Sequence, residues 1–155
     1  MAPLFDSIAR PLVVFHALGA FVLVGASVHL AVVAAKSARG GPIRLAVIRV
    51  YARLIGASYA LTFGLGLAAY PAYRYRVRGL FLDRYEPWAS NLFDIKEGFA
   101  AFGLPLAIAL FAVPSQLDAE DRRVMPLLAT LSVALGVLVV VSMVLGLVVT
   151  TVKGV

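Results

Sequence analysis

The chain has 155 residues, with 14 Lys and Arg against 8 Asp and Glu, a formal net charge of +6 and no cysteine. Hydrophobic residues make up 62% and charged residues 14%, and the mean hydropathy is +0.95; soluble domains sit near half apolar and a quarter charged. An ordinary soluble domain, a disordered chain, a disulfide scaffold and any thiolate-based site are thereby excluded. The positive charge does not argue for nucleic acid, because the bases flank long apolar runs, the pattern of a membrane protein.

In chain order, four apolar runs predict an all-α, integral membrane four-helix up-and-down bundle. They are Pro11–Ala35, Leu54–Tyr73, Ile95–Val113 and Val124–Val152. About 20 apolar residues rising 1.5 Å each cross a hydrocarbon core of about 30 Å, and strands of a membrane barrel would alternate in polarity, as these do not. The first run is longer than a signal-peptide core of roughly 7–15 residues, so it reads as a retained helix. One four-helix transmembrane domain fills 1–155, with residues 74–94 as a structured interfacial loop.

The first connection carries Lys36, Arg39, Arg44, Arg49 and Arg53 without an acid, whereas Arg10 alone flanks the first run. The bias of bases toward the cytoplasm predicts that this connection lies inside and both termini outside, in a bacterial inner membrane. Gly56, Ala60, Gly64 and Ala68 recur every fourth residue in the second run. Small residues allow close helix approach in lipid, so this stripe serves helix packing or makes room for a flat cofactor. Pro105 predicts a kink in the third run, and Pro126 sits in the first turn of the fourth.

Between Tyr70 and Asn91 the aromatic residues Tyr70, Tyr73, Tyr75, Phe81, Tyr85 and Trp88 stand among charges of both signs. Rings and arginines fit a membrane interface. The alternating acids in Asp83-Arg84-Tyr85-Glu86 and Asp94-Ile95-Lys96-Glu97 suggest instead a folded cap on the bundle or a docking surface for a partner.

His16 and His29 are the only histidines, and both fall in the first run. An ionisable residue within a span is a functional candidate. Thirteen positions separate them, which on a helix is about 20 Å along the axis and about 140° around it. They cannot share a metal. Gly19 and Gly25 lie one turn from His16 and His29, and a porphyrin against a helix needs such a missing side chain beside its axial ligand. Neutral imidazole is a standard haem ligand. A sixth ligand must come from elsewhere: a methionine, a tyrosine, a lysine, an open position or a second copy of the chain. Met143 falls near the depth of His16, and Met125 nearer His29. Either histidine serves equally well as a hydrogen-bonding group, to a carbonyl or hydroxyl such as Ser58 or Thr62.

In an up-down bundle the start of the first helix, the middle connection and the head of the third share one face. His16, Arg74, Arg76, Arg78, Asp94, Lys96 and Glu97 are therefore expected to converge. A basic, aromatic rim suits a flat anionic ligand such as a haem with its propionates; an isoprenoid quinone needs no such rim.

The early Phe15-His16-Ala17-Leu18-Gly19, the Gly64-Leu65-Gly66-Leu67 of the second run, and the connection from Pro87-Trp88 to Lys96 resemble the small four-helix membrane haem proteins of the HemJ-type protoporphyrinogen oxidase and CopD-like group. The resemblance covers roughly residues 11–105. It implies a b-type haem, with His16 matching a first-helix histidine and Lys96 a third-helix lysine. The further histidines and the arginine-rich helix end of such proteins have no counterpart here, so the resemblance bears on fold and haem more than on oxidase activity.

Two functions are thus expected: a b-type haem-binding membrane protein with a redox, electron-transfer role in quinone or porphyrin chemistry, or a non-catalytic structural or assembly subunit of a homodimer or larger membrane complex. Ion transport is disfavoured because no charge lies deep in a span. Neither G-x-x-x-x-G-K-[ST] nor G-x-G-x-x-G occurs, and nothing suggests a nucleic-acid partner.

Overall fold

The structure is a computed structural model; it describes residues 2–118 and 121–154, with side chains from residue 8 onward. The chain is all-α. Helix α1 spans Ala2–Ala38 and α2 spans Leu45–Ala72, α3 spans Pro87–Ala112 and α4 spans Met125–Val152. The helical segments Ile8–Ala38, Leu45–Tyr85, Pro87–Gln116 and Arg122–Val152 are each long and apolar enough to cross a membrane.

The helices form an up-and-down bundle in cyclic order. α1 packs on α2 and α4, α3 packs on the same two, and the backbones of neither diagonal pair come close among the described residues. Large apolar side chains cover the outside, including Phe15, Phe21, Leu67 and Phe102, as lipid-facing surfaces require. The interior holds two apolar clusters. One, around Leu30, Ile48, Ile55, Leu110, Met125 and Leu128, fills the half nearer the α1–α2 connection. The other, around Tyr73, Val77, Leu82, Ala89 and Val149, closes the opposite end.

That second cluster exists because residues 74–94 are helical rather than a loop. Tyr73–Leu82 continues α2 in π geometry, and Asp83–Tyr85 adds one further turn. Pro71 cannot donate to the α ladder just before the change, and the Asp83 N–H reaches back five residues to the Arg78 carbonyl. The chain turns at Glu86, whose φ of −139° and ψ of 59° leave the helical region, and Pro87 restarts it at the first turn of α3. The expected alternation of charges is used internally. Arg78 forks onto Asp94 with bonds of 2.5 and 3.0 Å, Ser90 donates to Asp83 at 2.6 Å, and the Trp88 indole donates to Glu86 at 2.6 Å. These ties fold the cap onto α3.

At the other end, two arginines satisfy carbonyls that helix ends leave without partners. Arg49 donates to the carbonyls of Pro114 at 3.1 Å and Leu117 at 2.7 Å. Arg122 donates to those of Ser37 at 3.1 Å and Gly41 at 3.0 Å. Gly40 makes the turn between α1 and α2 with a φ of 94°, a conformation glycine adopts without steric cost. Pro105 lies inside the continuous α3, and Pro126 occupies the first turn of α4.

The every-fourth-residue stripe does not serve packing within the bundle along its length. Gly56 accommodates Phe111, whose ring would lie 2.6 Å from an added Cβ, but Ala60, Gly64 and Ala68 are exposed. A row of spacing four precesses by about 40° per step, so it leaves an interface that it enters. The interior row of α2 alternates steps of three and four instead: Tyr59, Thr62, Gly66, Ala69 and Tyr73.

Replacing Arg49 with Ala removes two charge-assisted bonds, and we expect a loss of about 2 kcal/mol in reversible unfolding in detergent. Arg53→Ala, on an exposed side chain, is expected to stay within about 0.5 kcal/mol.

Candidate functional site

Between the two apolar clusters, α1 presents His16 to the interior. Its Nδ1 lies 2.7 Å from the backbone carbonyl oxygen of Thr62. A carbonyl can only accept, so Nδ1 carries the proton and donates, and the other nitrogen, Nε2, is left as a bare lone pair. The approach depends on Gly66. A Cβ there would stand 3.1 Å from His16 Cε1 and 3.2 Å from Nδ1, so a side chain on α2 at this point would push the ring away from the helix.

Two adjoining cavities meet at this ring. The larger, about 270 Å³, extends between α2 and α3 past Tyr59, Phe63, Phe99 and Gly103. The smaller, about 180 Å³, extends between α1 and α4 past Phe21, Tyr73, Gly146 and Leu147. His16, Ala20, Gly66, Tyr70, Phe93, Lys96, Ser142 and Met143 line both. Of the expected residues, then, the fold brings together His16, Lys96 and Met143, one from each of α1, α3 and α4.

Lys96 reaches this space across α4, where an added Cβ at Gly146 would lie 3.1 Å from its Cε. Its ammonium sits 5.2 Å from the centre of the Phe93 ring, within cation–π range. Tyr59 spans from α2 to α3 in the same manner: its hydroxyl donates to the Ala100 carbonyl, and its ring lies over Gly103.

The other expected residues lie elsewhere. His29 is exposed and stacks on Tyr51, with ring centres 4.2 Å apart. Gly25 has nothing within 4 Å of an added Cβ, and Met125 is buried in the apolar cluster. The 140° between the histidines is the cause, since the face that turns His16 inward turns His29 out. Gly19 makes room for the Thr62 hydroxyl rather than for a ligand. Arg74 and Arg76 are exposed outside both cavities. Arg74 bears on the site only through Tyr70, whose hydroxyl accepts its bond at 2.9 Å. Arg78 and Asp94 are spent on one another, while Glu97 lines the larger cavity.

Sequence reasoning missed Tyr73, which is 8% exposed, stacks on Phe93 at 3.9 Å and lines the smaller cavity. Its hydroxyl, like that of Thr62 in the larger cavity, is buried without a hydrogen-bond partner among the described residues. The 3-4 spacing from Tyr59 through Tyr73 was the available signal. No group of three or more His, Cys, Asp or Glu suited to a bare metal ion occurs among the described residues.

The close approach at Gly66 has a testable consequence. Gly66→Ala should displace His16 and cost about 1–3 kcal/mol. Gly64→Ala, whose Cβ meets nothing within 4 Å, should be neutral or stabilise by up to about 1 kcal/mol through helix propensity. Thermal unfolding of the pair in one detergent checks both. No family model, curated protein or solved structure matches the chain.

Proposed function

We propose that the chain is a b-type haem-binding integral membrane protein with a redox, electron-transfer role. The observation that carries this reading is the His16–Thr62 bond of 2.7 Å, in a ring that lines both interior cavities. Ligating histidines characteristically donate their second nitrogen to a carbonyl or carboxylate, which fixes the tautomer and raises the basicity of the free nitrogen. His16 has that arrangement ready-made.

The cavity walls suit a porphyrin. They are largely apolar and aromatic, with Phe63, Phe93, Phe99, Tyr59 and Tyr70 among them. Met143 faces the same space from α4 and Lys96 from α3, so either would serve as the sixth ligand. A haem held there would carry one electron, with a quinone or porphyrin of the bilayer as exchange partner. The protein's own part is to hold His16 in one tautomer and to keep water out with the two apolar clusters. The base-rich α1–α2 connection favours an orientation in a bacterial inner membrane with that connection in the cytoplasm and both termini outside. His16 and Lys96 then lie toward the outer face.

One observation favours a second reading, a structural or assembly subunit of a larger membrane complex or homodimer. Ala60, Gly64 and Ala68 present small residues to the lipid side of α2, where another helix would pack closely.

Detergent-purified protein is expected to show a Soret band and to yield about one haem per chain by pyridine haemochrome. His16→Ala should abolish both, Met143→Leu should shift the spectrum, and His29→Ala should leave it as in the wild type. Colourless protein that co-purifies in fixed ratio with larger subunits would contradict the haem reading and support the second.

A further inference from the structure

The haem-ligand reading leaves Tyr73 of the smaller cavity unused, and Lys96 as well where Met143 takes the sixth position. Tyr73 is 8% exposed and lines that cavity, and its hydroxyl is buried with no hydrogen-bond partner among the described residues. Lys96 lines the same cavity and makes no ion pair among the described residues; its ammonium rests over Phe93 at 5.2 Å. Phe93 in turn stacks on the Tyr73 ring at 3.9 Å, so Lys96 and Tyr73 border one ring. Lys153 is a second base in the lining, and no acidic side chain is among the lining residues.

Two bases with no acid on this wall, beside a hydroxyl without an acceptor, are complementary to an anionic oxygen. Glu97 bears on Lys96 from the larger cavity but makes no ion pair with it among the described residues; an ammonium left without a contacting partner is costly in a low dielectric, and a carboxylate would supply one. The other walls are apolar. Phe21 of α1 and Leu147 of α4, 57% and 53% exposed, also line the cavity, so it reaches the lipid-facing surface between those helices. Polar head inward and apolar flank outward describe an amphiphile.

We infer that the smaller cavity is a carboxylate seat for an amphiphile entering from the bilayer, with Lys96 as counter-charge and Tyr73 as hydrogen-bond donor. The carboxylate has two sources. One is a propionate of the haem, an assignment that rests on the preceding proposal. The other is a free long-chain acid, which does not.

The experiment uses the full chain in a non-ionic detergent with two matched probe pairs: haemin against its dimethyl ester, and oleate against methyl oleate. Binding is read by absorbance for the first pair and by titration calorimetry for the second. The wild type should prefer the acid of a pair by about tenfold or more, the scale of a charge-assisted hydrogen bond in a dry site. Lys96→Met and Tyr73→Phe should each reduce that preference severalfold, and Lys96→Arg should retain it. Unfolding midpoints measured alongside identify any variant that misfolds; Tyr73→Phe and Lys96→Arg decide if Lys96→Met does.

An acid preference for oleate that Lys96→Met or Tyr73→Phe diminishes upholds the seat even if no porphyrin binds, in which case the haem reading alone fails. Conversely, a His16-dependent Soret band with equal affinity for acids and esters keeps the haem reading and overturns the seat. A preference that survives both Lys96→Met and Tyr73→Phe also overturns it.

Discussion

The interior of this bundle is organised by one hydrogen bond, from the His16 ring to the Thr62 carbonyl over the bare backbone at Gly66. A buried ring N–H without an acceptor costs about 1–3 kcal/mol, and hydrocarbon offers no water to supply one. A helix carbonyl has a second lone pair beyond the one used along its own axis, but a neighbouring side chain normally covers it. Glycine one turn on uncovers it. The bond then settles three things together: where the ring sits, which nitrogen holds the proton, and which nitrogen is left with a free lone pair.

The same device recurs wherever a polar side chain crosses between helices. Lys96 lies across Gly146, and Tyr59 lies over Gly103. Each glycine provides the volume that a long side chain from a neighbouring helix fills. Because the backbones of α1 and α3, and of α2 and α4, stay apart among the described residues, a central space persists between the two apolar clusters. Polar groups are admitted to it from three helices, and the packed ends seal it from water. A membrane protein has little hydrophobic drive to close such a space, since lipid tails are as apolar as its side chains, so shape alone decides whether it persists.

Much of this was legible beforehand. The four helices follow from apolar run length, and the opposed directions of His16 and His29 follow from their spacing. The convergence of His16, Lys96 and Met143 follows from up-down topology and depth. The rest failed for identifiable reasons. Residues 74–94 looked like a loop because their charges seem unfit for a helix, yet Arg78, Asp83, Ser90 and Asp94 neutralise one another once that helix is formed. The arginines of that region were expected at the cavity rim, but Arg74 and Arg76 face outward from the helix and Arg78 is held by Asp94. The small-residue stripe misled because a strict period of four slides off any interface, whereas Tyr59, Thr62, Gly66, Ala69 and Tyr73 keep the alternating period that stays on one. Arg49 looks like a topological charge in the sequence; only the fold shows the carbonyls that it and Arg122 serve.

The central claim is that His16 holds its proton on Nδ1 and leaves Nε2 bare. Nitrogen NMR of histidine-labelled protein in detergent reports this directly, with His16→Gln used to assign the signal. We predict a neutral ring protonated at Nδ1, with a hydrogen-bond coupling or close contact to the Thr62 carbonyl carbon. A ring protonated at Nε2, or one that exchanges freely between tautomers, would contradict the account at its origin.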